Sequence, residues 1–298
     1  MKNPQTPKEM LITFIIKASG YSAICCVGII FYFLLSQGLP TLKLVDLKSL
    51  FSVRWYPIED YFGILPLITG SIVVTIGATL IAVPFGIGTA IFIAEVAPRW
   101  AREILKPFIE ILAGLPSVVL GFLGIILLSS LLRETFNLPT GLSAFTGSLL
   151  LGAIAIPTIV SVAEDALDAV PKEYRDGALA LGATKWQTIW TVTLPAARSG
   201  VLTATMLGVA RSIGETMTVM MVTGNAPVMA KSLMVFLSPV RTMTATIAAE
   251  MGEVASGSTH YHVLFFIGIV LFIISLIVNV LASSYVYRHT QRSEKLLS

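Results

Sequence analysis

The sequence predicts an all-α integral membrane protein with six transmembrane helices. Three observations carry that reading. Of the 298 residues 55% are hydrophobic and only 12% charged, and the mean hydropathy is +0.84, whereas a soluble domain carries about 25% charged residues. Six stretches approach the roughly 20 apolar residues that one crossing needs. Lys and Arg also fall unevenly on the segments between those stretches, as the positive-inside rule requires. The same composition excludes disorder, and a net charge of +3 gives no reason to expect nucleic acid.

The crossings follow in chain order. The first covers about 18–38 and is read as an uncleaved span, because no small-residue cleavage site follows it. Cys25 and Cys26 lie inside it as adjacent residues about 100° apart on a helix, which makes a disulfide between them implausible. The second runs from Gly63 to about Val96, too long for one straight crossing, and Pro84, Gly86 and Gly88 predict a kink or break. The third covers about 107–132, with Gly114-Leu115-Pro116 setting off its first turns as a separate short helix. The fourth covers about 143–163, the fifth 197–224 and the sixth 263–287. Residues 97–106 and 133–142 read as short loops, and 39–62, 164–196 and 225–262 as long connections.

With the N-terminus in the cytoplasm, 13 basic residues face inward: Lys2, Lys8, Lys17, Arg99, Arg102, Lys106, Lys172, Arg175, Lys185, Arg198, Arg288, Arg292 and Lys295. Six face outward: Lys43, Lys48, Arg54, Arg133, Lys231 and Arg241. This split puts both termini inside, 164–196 in the cytoplasm and 225–262 outside.

The cytoplasmic stretch 171–195 has a pattern of its own. Asp176 to Ala183 is rich in Ala and Leu and reads as helix. Gly182 permits a turn, Thr184 can cap a second short helix, and Pro195 stops it or opens the fifth span. Ala178, Leu179 and Leu181 have no lipid to enter, and a helical hairpin of this kind can lie in another protein's groove. Asp176-Gly177-Ala178, Gly182, Val192, Leu194 and Pro195 resemble the EAA loop of ABC-importer permeases, with Asp for Glu and Gly for the first Ala as departures.

The resemblance narrows. Ile109-Glu110-Ile111-Leu112-Ala113-Gly114-Leu115-Pro116-Ser117-Val118-Val119, Arg211-Ser212-Ile213-Gly214-Glu215-Thr216 and Ile247-Ala248-Ala249-Glu250-Met251-Gly252-Glu253 are similar to the permeases of phosphate-specific (Pst) importers. With Trp55-Tyr56-Pro57 and Gly63-Ile64-Leu65-Pro66 they resemble the PstC type more than the PstA type. The likeness covers about residues 50–287. It implies a type I ABC-importer permease fold in a bacterial inner membrane. It also implies a heterodimer with a PstA-like permease, a PstB-like ATPase dimer docked on the 171–195 loop, and an external PstS-like binding protein. ATP would be used by the ATPase, and this chain would bind no cofactor. The implied organisation is an N-terminal segment 1–50, an external entry 51–68, a permease domain 69–284 and a cytoplasmic tail 285–298.

Arg211 falls near the middle of the fifth crossing, and a charge there costs at least about 2.5–3.5 kcal/mol on insertion scales. On a continuous helix Glu215 shares its face, extended by Gly208 and Thr218. Arg211 and Glu215 could lock the helix as an ion pair. Alternatively Arg211 could meet a passing oxyanion through two N–H groups while Glu215 keeps it from trapping that anion. Glu95 reads as a snorkelling carboxylate at the inner face. Glu110, Pro116 and Ser117 read as a helix break or gate. His260 and His262 read as solvated loop residues, and Glu250 and Glu253 as possible contacts for an external partner.

Gly is nowhere followed by Lys, so the Gly-rich nucleotide loop is absent and the chain is not expected to be an ATPase or another enzyme. Rival readings are a permease for phosphonate, sulfate or molybdate, and an ion-coupled secondary transporter, whose mark would be paired half-helices at the midplane.

Overall fold

The computed structural model describes residues 7–229 and 233–297; Lys2 and Lys231 fall outside them. Five helical stretches are long and apolar enough to cross a membrane: Met10–Leu44, Leu65–Val96, Ser117–Phe136, Ala144–Asp168 and Thr259–Leu281. The core is built by α2 (Leu65–Ile91) against α5 (Ala144–Asp168), with α8 (Arg198–Gly214) packed on both. Lipid offers no hydrophobic drive between apolar helices, so close backbone approach and interhelical hydrogen bonds hold them. Small residues permit that approach. A Cβ at Gly77 would meet Ser148, one at Gly152 would meet Ile81, and Gly86 and Gly208 both face Ile159. Ser148 Oγ reaches Val74 O across the interface at 3.3 Å, a bond worth about 0.6 kcal/mol in such a setting.

Pro84 does not break the second crossing. The α-helix runs through it to Ile91 and ends in a π-turn, Phe92–Val96. The rigid, well-packed contact of Gly86 with Ile159 accounts for that glycine, while neighbouring helices commonly tolerate an intramembrane proline. The predicted loop 97–106 is largely helix. α3 (Arg99–Ala113) starts there and stops at Gly114, and α4 (Ser117–Phe136) follows with a π segment at Gly124–Ser129. The expected break at Gly114-Leu115-Pro116 is present, but the helix before it is 15 residues long.

The fifth crossing is the larger departure. It is not one helix, because α8 ends at Gly214, Glu215 is extended (φ −70°, ψ 129°), and α9 (Met217–Val222) restarts two residues on. Gly214 and Thr216 are weak helix formers, and the Glu215 side chain accepts the Thr218 N–H in the first turn of α9. The sixth crossing, α11 (Thr259–Leu297), continues through the tail. α1 (Pro7–Gly38) is exposed along most of its length and touches α11 through Phe31–Phe272 and Phe33–Phe265. Cys25 and Cys26 on it are free.

The outer segments are ordered. Trp55–Tyr56 and Tyr61–Phe62 form a two-stranded hairpin, a small departure from an all-α chain. The long connection after the fifth crossing folds onto α2: Gly70 lies against the Arg241 carbonyl, and Met243 N donates to Ser71 Oγ at 2.9 Å. It then forms α10 (Met243–Glu250), capped by Thr242. Glu250 is no free docking residue. It accepts from Arg241 at 2.7 Å, His260 Nε2 at 2.8 Å and Trp55 Nε1 at 3.3 Å. His262 Nδ1 donates to Gln37 O at 2.7 Å, so neither histidine is a loosely solvated loop residue. Glu253 remains exposed.

Burial pushes the Glu250 carboxyl up, but the His260 bond, the Arg241 charge and the Trp55 N–H outweigh it, and the group sits below its ordinary value. A lowered folded pKa gives stability that is present above the unfolded value and lost as pH falls through the folded one. Glu250→Gln is therefore expected to lower the unfolding temperature of the purified protein at pH 7, by an equivalent of about 1–3 kcal/mol. The gap from the parent closes as the pH is taken below about 4. A gap that persists unchanged in acid would mean that shape rather than charge holds this cluster.

Candidate functional site

Two polar groups interrupt the apolar body. The first lies at the two helix breaks. Counting along α8, Arg211 is about 20 Å from Arg198 at about 1.5 Å per residue, one turn before the helix ends at Gly214. Its side chain is exposed on the molecule's surface. One terminal nitrogen donates to Thr158 Oγ1 at 3.1 Å on α5, and the other to Ala113 O at 3.4 Å, the last residue of α3. Thr218 Oγ1 donates to Ser117 O at 3.0 Å, which joins the second break to the first. Glu215 turns the other way: its Oε1 accepts the Thr218 N–H at 3.4 Å, and its carbonyl accepts Thr244 Oγ1 at 3.2 Å.

Arg211 and Glu215 are thus not paired. Four residues apart they would share a helical face, but the chain leaves the helix at Gly214, so the spacing no longer sets the direction. Among the described residues no ion pair joins them. Gly208, three residues before Arg211 on the same helix, is buried against Ile159 and Ala155. Pro116 and Ser117 form the N-terminal edge of α4, and Glu110 stands exposed one turn before the break. Thr158 was not singled out by the sequence, since a threonine in a crossing carries no periodic signal. A guanidinium has five N–H donors, so Arg211 retains capacity for an anion beyond these two bonds.

The second group is the 171–195 hairpin. α6 (Lys172–Ala180) begins four residues before Asp176 and ends before Gly182, whose φ of +87° is the left-handed turn that favours glycine. Thr184 then caps α7 (Lys185–Thr188) in a reciprocal box with Gln187. A π segment, Ile189–Thr193, leads to Leu194 and Pro195, which open the turn into α8. Asp176 and Gly177 are exposed, Ala178 is half-buried, and Leu181 is 91% exposed. With Tyr174, Leu179 and Trp186 also exposed, the hairpin presents an apolar surface that this chain does not cover. Gly182→Ala places a Cβ in open space but in a disfavoured conformation. It is expected to cost about 1 kcal/mol locally, read as faster hydrogen exchange of residues 178–188.

Ion pairs at the neighbouring helix ends join α3 to α5, and one more reaches the hairpin. Glu164 on α5 is buried and accepts from Arg102 at 3.1 Å and Lys106 at 2.9 Å; Arg102 also pairs with Asp168. The Asp168 bond holds the Arg102 pKa above its ordinary value, and the Glu164 bond does the same for Lys106. Glu95 is not snorkelling into water but binds Arg175 of α6. The i, i+4 spacing of Arg102/Lys106 against Glu164/Asp168 was visible in the sequence; their pairing needed the fold. Among the described residues no His/Cys/Asp/Glu group could hold a metal ion.

Residues 82–294 match the family profile described as binding-protein-dependent transport system inner membrane component. The chain belongs to this family. It is similar to the probable ABC transporter permease protein YqgH of Bacillus subtilis (strain 168), 41% identical over 231 residues that cover 77% of this chain and 74% of that protein. The phosphate transport system permease protein PstC of Xylella fastidiosa (strain Temecula1) is 35% identical over 274 residues, 86% of this chain and 83% of the relative. PstC of Haemophilus influenzae is 31% identical over 265 residues, 83% and 82% of the two chains. The fold matches a bacterial alginate ABC transporter (TM-score 0.63, 13% identity, 92% of this chain and 94% of that one). It also matches the inward-facing MetNI methionine transporter (0.56, 18%, 76% and 94%). The chain is a multi-pass inner-membrane ABC permease, a transport subunit rather than an enzyme. The family match places the chain among ABC permeases, although α3–α4 and α8–α9 are each interrupted helices.

Proposed function

We propose that the chain is the PstC-type half of an ATP-driven phosphate importer. Its partners are a PstA-like permease, a PstB-like ATPase dimer and a PstS-like binding protein. The chain crosses the membrane six times, α3–α4 and α8–α9 each making one broken crossing, with both termini in the cytoplasm. Phosphate passes Arg211, and the 171–195 hairpin receives the motion of the ATPase. The observation that carries the pathway role is the exposed guanidinium at two adjacent helix breaks, with no carboxylate on it among the described residues. Such a group can accept an oxyanion without first breaking an ion pair. Thr218 and Glu215 shape the break beside it, and Glu110, Pro116 and Ser117 form the edge that can move as a gate. The exposed Leu181 and its neighbours support docking of a separate ATPase.

The test is uptake of labelled phosphate into sealed vesicles holding the assembled complex, with and without ATP. ATP-dependent phosphate uptake is expected. Uptake of sulfate, molybdate or phosphonate in its place would keep the class and reject the substrate. Uptake on an ion gradient without the ATPase would reject the mechanism.

A further inference from the structure

Arg175 holds three elements at once. It belongs to α6, the exposed helix of the 171–195 hairpin. Its Nε and one terminal nitrogen donate to Glu95 Oε1 at 3.0 and 2.7 Å, and Glu95 lies in the π-turn that ends the second crossing. The same terminal nitrogen donates to Leu167 O at 2.7 Å, and the other to Val170 O at 2.6 Å, so the guanidinium also closes the carboxyl end of α5. The Glu95 side chain is 9% exposed and that of Arg175 19%. A pair so shielded is screened far less by salt than a surface pair, and the planar fork fixes direction as well as distance. Beside it, Arg102 and Lys106 clamp α3 to the same end of α5 through Glu164 and Asp168.

The second arm of the hairpin is seated in the core through Ile189, with Leu194 packed against it, but α6 has no such anchor. α6 has no buried residue, and a cavity of about 690 Å3 lined by Glu95, Asp168, Arg175, Leu179 and Lys185 separates it from the helix ends. A push on α6 reaches the crossings where side chains cross that gap. We infer that Arg175, held by Glu95, is the positioning residue through which α6 of the 171–195 hairpin drives the inner ends of the second and fourth crossings. Arg175 touches neither nucleotide nor transported ion; it sets how far the helix ends follow the hairpin. The π-turn of Glu95 suits the task, since its weaker hydrogen bonding lets the last turn of the second crossing shift without unwinding Leu65–Ile91.

This inference rests on the proposed ATP-driven import, and the experiment separates the two. In the reconstituted complex, phosphate uptake and ATP hydrolysis are measured together for the parent, Glu95→Gln, Arg175→Lys and a control, Glu103→Gln. Glu103 is exposed on α3 and removes the same charge. Assembly is followed by co-purification of the partners. Glu95→Gln is expected to assemble, to hydrolyse ATP within twofold of the parent and to move about tenfold less phosphate per ATP. Arg175→Lys, which keeps the charge and loses the fork, should show an intermediate ratio, and Glu103→Gln the parent's. A merely structural pair would lower uptake and hydrolysis in step, with the ratio intact, and would overturn the inference. If Glu95→Gln does not assemble, the ratio is read on Arg175→Lys, where an unchanged value overturns it equally. A parent complex without ATP-dependent phosphate uptake would instead reject the proposed function.

Discussion

Arg211→Gln is expected to abolish most phosphate uptake while leaving the complex assembled. Two charge-assisted bonds to a phosphate oxyanion are worth together about 3 kcal/mol or more, which at about 1.4 kcal/mol per decade is about a hundredfold in transport. Folding should be little affected, because the side chain is exposed and makes two bonds at 3.1 and 3.4 Å. Arg211→Lys should recover part of the rate, since it keeps the charge and loses the planar fork. The measurement is initial uptake rate against phosphate concentration, with partner co-purification as the control for assembly. Full uptake by an assembled Arg211→Gln complex would make Arg211 a brace between α8, α5 and the end of α3. Salt dependence adds a second readout: a guanidinium in an open aqueous path is screened by added chloride, whereas a brace sealed in protein is not.

The large features of this fold were legible because they rest on composition and local chemistry. Apolar runs located the crossings, and Gly114-Leu115-Pro116 located a helix break because proline removes a donor and biases the residue before it. Gly182 and Thr184 marked a turn and a cap for equally local reasons, and both are in place. What the sequence concealed depends on partners distant in the chain. Pro84 looked like a breaker, yet the packing of α2 on α5 carries the helix through it. Gly214-Glu215-Thr216 looked like helix, since Arg211 and Glu215 at i, i+4 offer an attractive pair. The alternative bonds from Thr218 and Thr244 to Glu215, from elements after the break, decide against it. Glu95 read as an interfacial carboxylate and Glu250 as a contact for an external partner, whereas Glu95 pairs with Arg175 and Glu250 is the centre of a cluster. A carboxylate's destination is set by the tertiary structure, because one charge has no period to read. Substrate and partners were carried by short motifs, which the relatives named PstC also support at 31–35% identity.

Gly70→Ala is the structural change with the largest expected effect near the site. A Cβ there would stand 3.1 Å from the Arg241 carbonyl carbon and closer still to its oxygen. That atom is backbone, so no side-chain rotation relieves the contact. The displaced segment is tied on both sides: Val240 N donates to Thr223 O at 2.8 Å, and Met243 N to Ser71 Oγ at 2.9 Å. Moving it far enough to clear that contact strains those bonds and shifts Arg241 relative to Glu250. Overpacking of this kind costs about 1–3 kcal/mol, and more where backbone hydrogen bonds break with it. Thr244, three residues beyond Arg241, supports the Glu215 carbonyl at the helix break, so the damage should reach the transport path. The expected result is a lower unfolding temperature together with reduced uptake. Gly88→Ala, on the same helix but facing open space, should leave both close to the parent. Equal behaviour of the two variants would show that the 239–243 segment can retreat from α2 without cost, and that its seat on Gly70 does not hold the Glu215 break in shape.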